Sequence, residues 1–300
     1  MKRLLYYVSA VMLLSACGSD NSEGSDPDIP EPPVDNRETV KMTSRSDEVP
    51  QGDQLRAGLY MVNYKDGQPD ELLADNNYVN NQMMTWTSNS WTLAPPIYWK
   101  DAETRADFYA YAPYQAEVSD ARQVSFSVQN DQTTTDAFYN SDFLWGKVEG
   151  KSPADGSFNL SLNHLLSQLT IIVTAEAGFD DGELQASDVG VTIGGTKTSG
   201  TIDLANGTIV TTGAADNVKC LSCGDLSYKA VLLPQQVPFS NLIQVDWRGN
   251  VYILQNSFKL EGARQYTLTI KLKKTKSGFD IGIAGWDIIG EDFGGTIGGD

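Results

Sequence analysis

The chain of 300 residues sets 39 acidic side chains against 22 basic ones, a formal charge of −17, with 40% hydrophobic and 10% aromatic residues. That much apolar material builds a real core and excludes wholesale disorder. The shortage of Lys and Arg, with no dense cluster outside 271–276, excludes partners that need phosphate neutralised, nucleic acid first among them.

Met1, Lys2 and Arg3 give a positive start, residues 4–14 an apolar run, and Leu14, Ser15, Ala16 and Cys17 a small-residue cleavage site ending in cysteine. The run is too short for a bilayer, which needs ~20 helical residues, so 1–16 read as a secretory signal. Residues 14–17 resemble the bacterial lipobox, which implies that Cys17 becomes the lipidated first residue; ordinary signal cleavage with an incidental cysteine is the alternative. Residues 17–37 are acidic and proline-rich and have no aromatic residue. They cannot bury enough apolar area to offset ordering entropy and read as a flexible tether behind the lipid.

From residue 38 the texture is all-β. Alternating runs recur at 40–44, 58–64, 82–87, 108–112, 124–128, 143–148 and 158–162, with turn chemistry at Asp66-Gly67, Asp155-Gly156 and Asn206-Gly207. The pattern resumes at 189–193, 200–204, 208–212, 226–233, 242–246, 251–254, 265–272 and 279–284, and no sustained 3.6-residue stripe predicts a long helix. Between the two sets lies a seam. Apolar side chains sit at even positions in Phe158, Leu160 and Leu162 and at odd ones in Leu165, Leu169, Ile171 and Val173. A strand alternates with period two, so this parity flip predicts a chain leaving one core and entering another. Two β-sandwich domains are expected, 38–165 and 166–300.

Little suggests chemistry. The sole histidine, His164, lies on the seam and reads as a hydrogen-bonded structural residue. With Cys17 acylated, Cys220, Cys223 and His164 are too few for a tetrahedral zinc site. In an oxidising compartment, Cys220 and Cys223 are expected either as a local disulfide or as two free thiols. No phosphate loop, nucleophile elbow or paired carboxylates stand out, so no enzyme, metal or cofactor is expected. Trp86, Trp91 and Trp99 could stack on sugar rings, as a surface glycan-binding lipoprotein would require. Their alternation with Met84, Leu93 and Ile97 favours core packing.

Taken together, several motifs resemble the fimbrillins of Bacteroidales, the lipoprotein-derived subunits of type V pili. They are the lipobox, Ile97, Tyr98 and Trp99 followed by 108–113 (FYAYAP), 142–146 (DFLWG), 162–169 (LNHLLSQL), 266–270 (YTLTI) and 281–286 (IGIAGW). The resemblance implies two transthyretin-like β-sandwich domains in an outer-membrane lipoprotein precursor, held through Cys17 and ending in a fimbrium. It implies an arginine-specific protease that removes the first strand, and a strand from another subunit that fills the groove, with a surface receptor or glycan as the adhesive partner. On this sequence 38–44 would be the strand released. Arg45 is the first choice for the cut, then Arg56, then Arg37. The donor strand would come from 287–300, which carries Ile288, Ile289, Phe293 and Ile297 among five glycines. Glycine weakens a strand, so the tail is either a mobile donor or part of a tip or anchor subunit that donates none.

Overall fold

The computed structural model describes residues 37–43, 55–87, 90–176, 178–274, 281–283 and 288–292, the last two stretches as backbone. In chain order the elements are β1 (Lys41–Thr43), β2 (Arg56–Asn63), β3 (Val79–Thr87), β4 (Ser90–Leu93), β5 (Ala106–Ala112), β6 (Val124–Ser127), the short helix α1 (Thr135–Asn140), β7 (Leu144–Lys151), β8 (Ser157–Asn159), β9 (Asn163–His164) and β10 (Ser167–Ala175). They continue as β11 (Val189–Asp203), β12 (Thr208–Lys219), β13 (Leu221–Gly224), β14 (Ser227–Leu232), β15 (Gln235–Trp247), β16 (Asn250–Leu260), β17 (Arg264–Lys274), β18 (Ile281–Ile283) and β19 (Ile288–Asp292). The all-β expectation holds.

Residues 41–164 supply an eight-stranded sheet in the order β8-β1-β4-β3-β2-β5-β7-β9. Its two edge strands, β8 and β9, are separated in the chain by residues 160–162 alone. Three residues reach only ~10 Å, so the sheet must roll until its edges meet. Gly146 permits this closure, because the carbonyl oxygen of Ser161 lies where a Cβ would stand. Inside the roll, Val40, Met42, Leu59, Met61, Met84, Trp86, Trp91, Ile97, Trp99, Phe108, Phe158, Leu160 and Leu162 form one apolar cluster.

The second half makes two sheets. One runs β13-β14-β10-β17, with β18 and β19 both on β17; the other runs β12-β11-β15-β16. They bury Leu169, Ile171 and Val173 of β10 and Leu268 and Ile270 of β17 against Val191 and Ile193 of β11 and Ile243 and Val245 of β15. The parity flip at the seam follows from this arrangement. Phe158, Leu160 and Leu162 face the first cluster, and Leu169, Ile171 and Val173 face the second. Between them Leu166 enters a third cluster with Tyr60, Val62, Tyr109, Tyr111, Val124, Phe126, Phe143, Ile202, Leu204, Val231 and Leu233, drawn from both halves of the chain.

The central strands β2 and β5 are buried on both faces. Leu59, Met61, Phe108 and Ala110 point into the rolled sheet, while Tyr60, Val62, Tyr109 and Tyr111 point into the shared cluster. β6 leaves the first half altogether and pairs antiparallel with β11, from Ser127 opposite Ser199 to Val124 opposite Ile202.

Candidate functional site

Residues 38–43 form the most unusual part of the rolled sheet. β1 is an interior strand, parallel to β8 through Lys41–Ser157, Met42–Phe158 and Thr43–Asn159 and antiparallel to β4 at Thr43–Ser90. Upstream of it Thr39 bridges Tyr98, Val40 N–H donates to the Ile97 carbonyl at 3.0 Å, and Trp99 N–H donates to the Glu38 carbonyl at 2.9 Å. Downstream, Leu160 N–H donates to the Thr43 carbonyl at 3.1 Å. The alternation legible in the sequence sets the inward face. Val40 and Met42 are 7% and 5% exposed, whereas Lys41 and Thr43 face solvent.

Beneath these two side chains lies an aromatic floor. The Trp86 and Trp91 rings meet edge-on with centroids 5.1 Å apart, and Trp99 packs against Phe108 at 5.6 Å and Phe158 at 6.3 Å. Burying one such apolar side chain stabilises by about 1.5–3 kcal/mol, and each ladder hydrogen bond adds about 1 kcal/mol. Every backbone pairing of β1 is with a residue at least 47 positions away in sequence. A segment held only by long-range contacts, with a strand on either side, would leave an open slot if it departed: unpaired backbone on β4 and β8, and an apolar floor between them.

Arg45 and Cys17 lie outside the described residues, as do residues 1–36 and 44. Arg56 opens β2 with an exposed side chain, but its backbone is paired with Thr85 and its carbonyl accepts from Tyr114 N–H at 3.0 Å. Arg37 donates from Nη1 to the Tyr78 hydroxyl at 2.9 Å, and its guanidinium stands 5.4 Å from the Tyr98 ring centre. Trp86, Trp91 and Trp99 are 4%, 6% and 1% exposed, so in this form they offer no free face for a sugar to stack on.

Cys220 and Cys223 are free thiols, the first buried and the second exposed on β13. Burial pushes the Cys220 thiol far above its ordinary pKa, the character of an inert core cysteine. His164 Nδ1 lies 2.6 Å from Asp142 Oδ2, both side chains nearly enclosed at the seam. Among the described residues no group of three or more His, Cys, Asp and Glu side chains is placed to hold a metal. At the other end of the chain, β19 lies antiparallel to β17, Ile288 opposite Leu268 and Asp292 opposite Arg264. Phe293 and Ile297 fall outside the described residues.

Two features of the site were not legible in the sequence. The parallel partnership of β1 with β8 joins residues more than a hundred positions apart, and alternation identifies a face without identifying a neighbour. The same holds for Tyr78 and Tyr98 around Arg37.

Comparison with known proteins gives a consistent picture. No curated protein matches the sequence. Among solved structures, a candidate cell adhesion protein from Bacteroides uniformis superposes with a TM-score of 0.65 at 21% identity, covering 88% of this chain and 100% of that one. A candidate cell adhesion protein from Bacteroides ovatus gives 0.65 at 17% identity, over 85% and 99%. A fimbrial protein from Bacteroides vulgatus gives 0.50 at 14% identity, over 86% and 100%. At these identities the likeness establishes a shared fold. The fimbrillin-like family model matches residues 46–286, well over half of the sequence. The chain therefore belongs to the fimbrillin-like family.

Proposed function

We propose that this chain is the precursor of a fimbrial subunit, exported as a lipoprotein through Cys17 and assembled by exchanging its first strand for a strand of another subunit. The family is one of structural proteins, so the chain is no enzyme, and fimbrial membership supports a place at the cell surface. One observation carries the finer reading: residues 38–43 occupy an interior slot of the rolled sheet, plugged by Val40 and Met42 over Trp86, Trp91 and Trp99. An interior strand near the start of a chain, severed by one cut behind it, becomes a separate peptide held only by noncovalent contacts. Arg45 stands two positions past the end of β1, so a cut there falls directly behind the strand.

Arg37 and Arg56 are poorer substrates by local chemistry. A protease needs an accessible, extended backbone, and the Arg56 backbone is already committed to β3 and to Tyr114. A cut at Arg37 would free the lipid yet leave β1 in its slot. Within this reading the acidic tether holds the body away from the outer membrane before processing, and the C-terminal tail is the donor, with β19 its parked position.

Treatment of the purified precursor with an arginine-specific protease tests the proposal. A body beginning at Ser46, loss of the 38–43 peptide and growth of a ladder of oligomers is the expected result. A body that stays uncut, or is cut and remains a monomer that takes up no strand, overturns it.

A further inference from the structure

Losing β1 would strip two core side chains, Val40 and Met42, from the rolled sheet, and the open-slot sheet must survive until another strand arrives. The other faces of β2 and β5 rest on the third cluster, and one continuous segment, 121–141, ties that cluster to the second half of the chain. At its start Leu204 N–H donates to the Ala121 carbonyl at 3.0 Å, and Arg122 Nε lies 2.8 Å from Asp203 Oδ1. β6 then extends the β11 sheet, and Val128 N–H donates to the Thr198 carbonyl at 2.9 Å. Next the chain bridges to β12: Lys219 N–H donates to the Asn130 carbonyl at 2.8 Å and Gln132 N–H to the Lys219 carbonyl at 3.0 Å.

Gln132 is the centre of this segment. It is wholly buried, its Nε2 donates to the Val231 carbonyl at 2.9 Å, and its Oε1 accepts from Val231 N–H at 2.9 Å. β13 pairs with β14 only as far as Lys229, so the carboxamide supplies the pair of hydrogen bonds that a further strand residue would have made at Val231. A buried backbone pair left unmatched is costly, which makes this side chain hard to replace. Trp145 of β7 completes the contact from the other side. Its Nε1 donates to the Leu204 carbonyl at 2.8 Å, and its ring lies where a Cβ on Gly207 would be, 2.7 Å away, at a residue with φ of +70°.

We infer that residues 121–141 are a strap by which the second half of the chain holds the rolled sheet in shape while its slot is open, with Gln132 as the positioning residue. The strap acts on β2 and β5 from the face opposite the slot, so removing β1 leaves its contacts untouched. The waiting state of the subunit is thus a sheet supported from behind. This inference takes the departure of β1 from the strand-exchange reading; the coupling of the two halves stands apart from it.

Hydrogen exchange on the full mature chain, before and after arginine-specific proteolysis, reads the strap directly. In the wild type, amides of β2 and β5 should exchange in the same cooperative event as those of β10 and β14, and should stay protected after β1 has left. In Gln132→Ala the protection of β2 and β5 should fall by about tenfold or more after the cut, with β15 and β16 changed far less and the uncut protein showing the smaller effect. Equal loss in β2–β5 and β15–β16, or a cut wild type whose β2 and β5 exchange freely while β15 and β16 remain protected, overturns the strap. Should Gln132→Ala fail to fold, Arg122→Ala removes the milder attachment and is read in the same way. If the protease releases no strand, the exchange reading fails, and the uncut comparison of β2–β5 with β10–β14 still decides the coupling.

Discussion

The two halves of the molecule solve the same packing problem with different parts. The rolled sheet uses strands of two to nine residues, several joined only across long sequence distances, and fills its interior with Trp86, Trp91, Trp99, Phe108 and Phe158. The second half uses β11, β12, β15, β16 and β17, each of 11 residues or more, with β11–β12 and β15–β16 as long hairpins, over a core rich in Val, Ile and Leu. Long hairpins close locally and hold themselves together. β1 is short and is paired with β8 across more than a hundred residues, and no hairpin ties it to either of its partners.

The sharpest way to break that contrast is to remove the floor of the slot. Trp99→Ala should cost about 3–5 kcal/mol in urea unfolding of the precursor, because a fully buried indole leaves a cavity that a closed roll cannot collapse into. A loss under about 1 kcal/mol would mean that the floor is not the core of the first half. Next in size, Met42→Ala should lower the stability of the precursor by about 2–3 kcal/mol and leave the protease-cut body unchanged. The same loss in both forms would show that β1 never leaves.

Alkaline titration compares the shared cluster with the second core. Burial pushes the phenols of Tyr111 and Tyr228 up to about 12, and that of Tyr60 higher still. A raised folded-state value means that the unfolded chain releases these protons first. Stability should therefore be full below about pH 10 and fall as the pH climbs from 10 towards 12, at up to about 1.4 kcal/mol per pH unit for Tyr111 alone. Tyrosinate absorbance should lag until unfolding; early ionisation of all tyrosines in the native state would contradict their burial. The smallest effect belongs to the surface. Arg248→Ala removes a 2.7 Å contact to Asp188 at a half-exposed site and should cost less than about 1 kcal/mol by thermal melting.

Much of this was legible in the residues. Alternation placed Val40 and Met42 inward, the parity flip between Leu162 and Leu169 marked the change of core, and the company of Met84, Leu93 and Ile97 marked the tryptophans as interior. Asp66 and Gly67, at φ of 50° and 75°, make the turn between Lys65 and Gln68 that their chemistry encodes. Other features left no local signal. β11 runs unbroken from Val189 to Asp203, where the pattern suggested strands at 189–193 and 200–204, because shifts in pairing register between Ile193 and Thr196 and between Lys197 and Ser199 interrupt the alternation. β4 follows β3 after only two residues, which leaves no turn signal to separate it from its hairpin partner. α1, at six residues, is too brief to show a helical period. Gln132 sits in a polar run, QNDQTTT, that reads as loop; its burial comes from β12 and β14, which no local pattern announces.

On the strand-exchange proposal β1 leaves its slot before subunits join, and a reversible lock tests this most directly. Lys41 and Ser157 are opposite neighbours on β1 and β8, with both side chains exposed. Strands in a sheet run about 4.8 Å apart, within the span a disulfide bridges. In the Lys41→Cys, Ser157→Cys protein, arginine-specific cleavage under oxidising conditions should yield a cut monomer that keeps its first strand, and reduction should release the strand and start polymerisation. Oxidised protein that polymerises as fast as reduced protein would contradict the account.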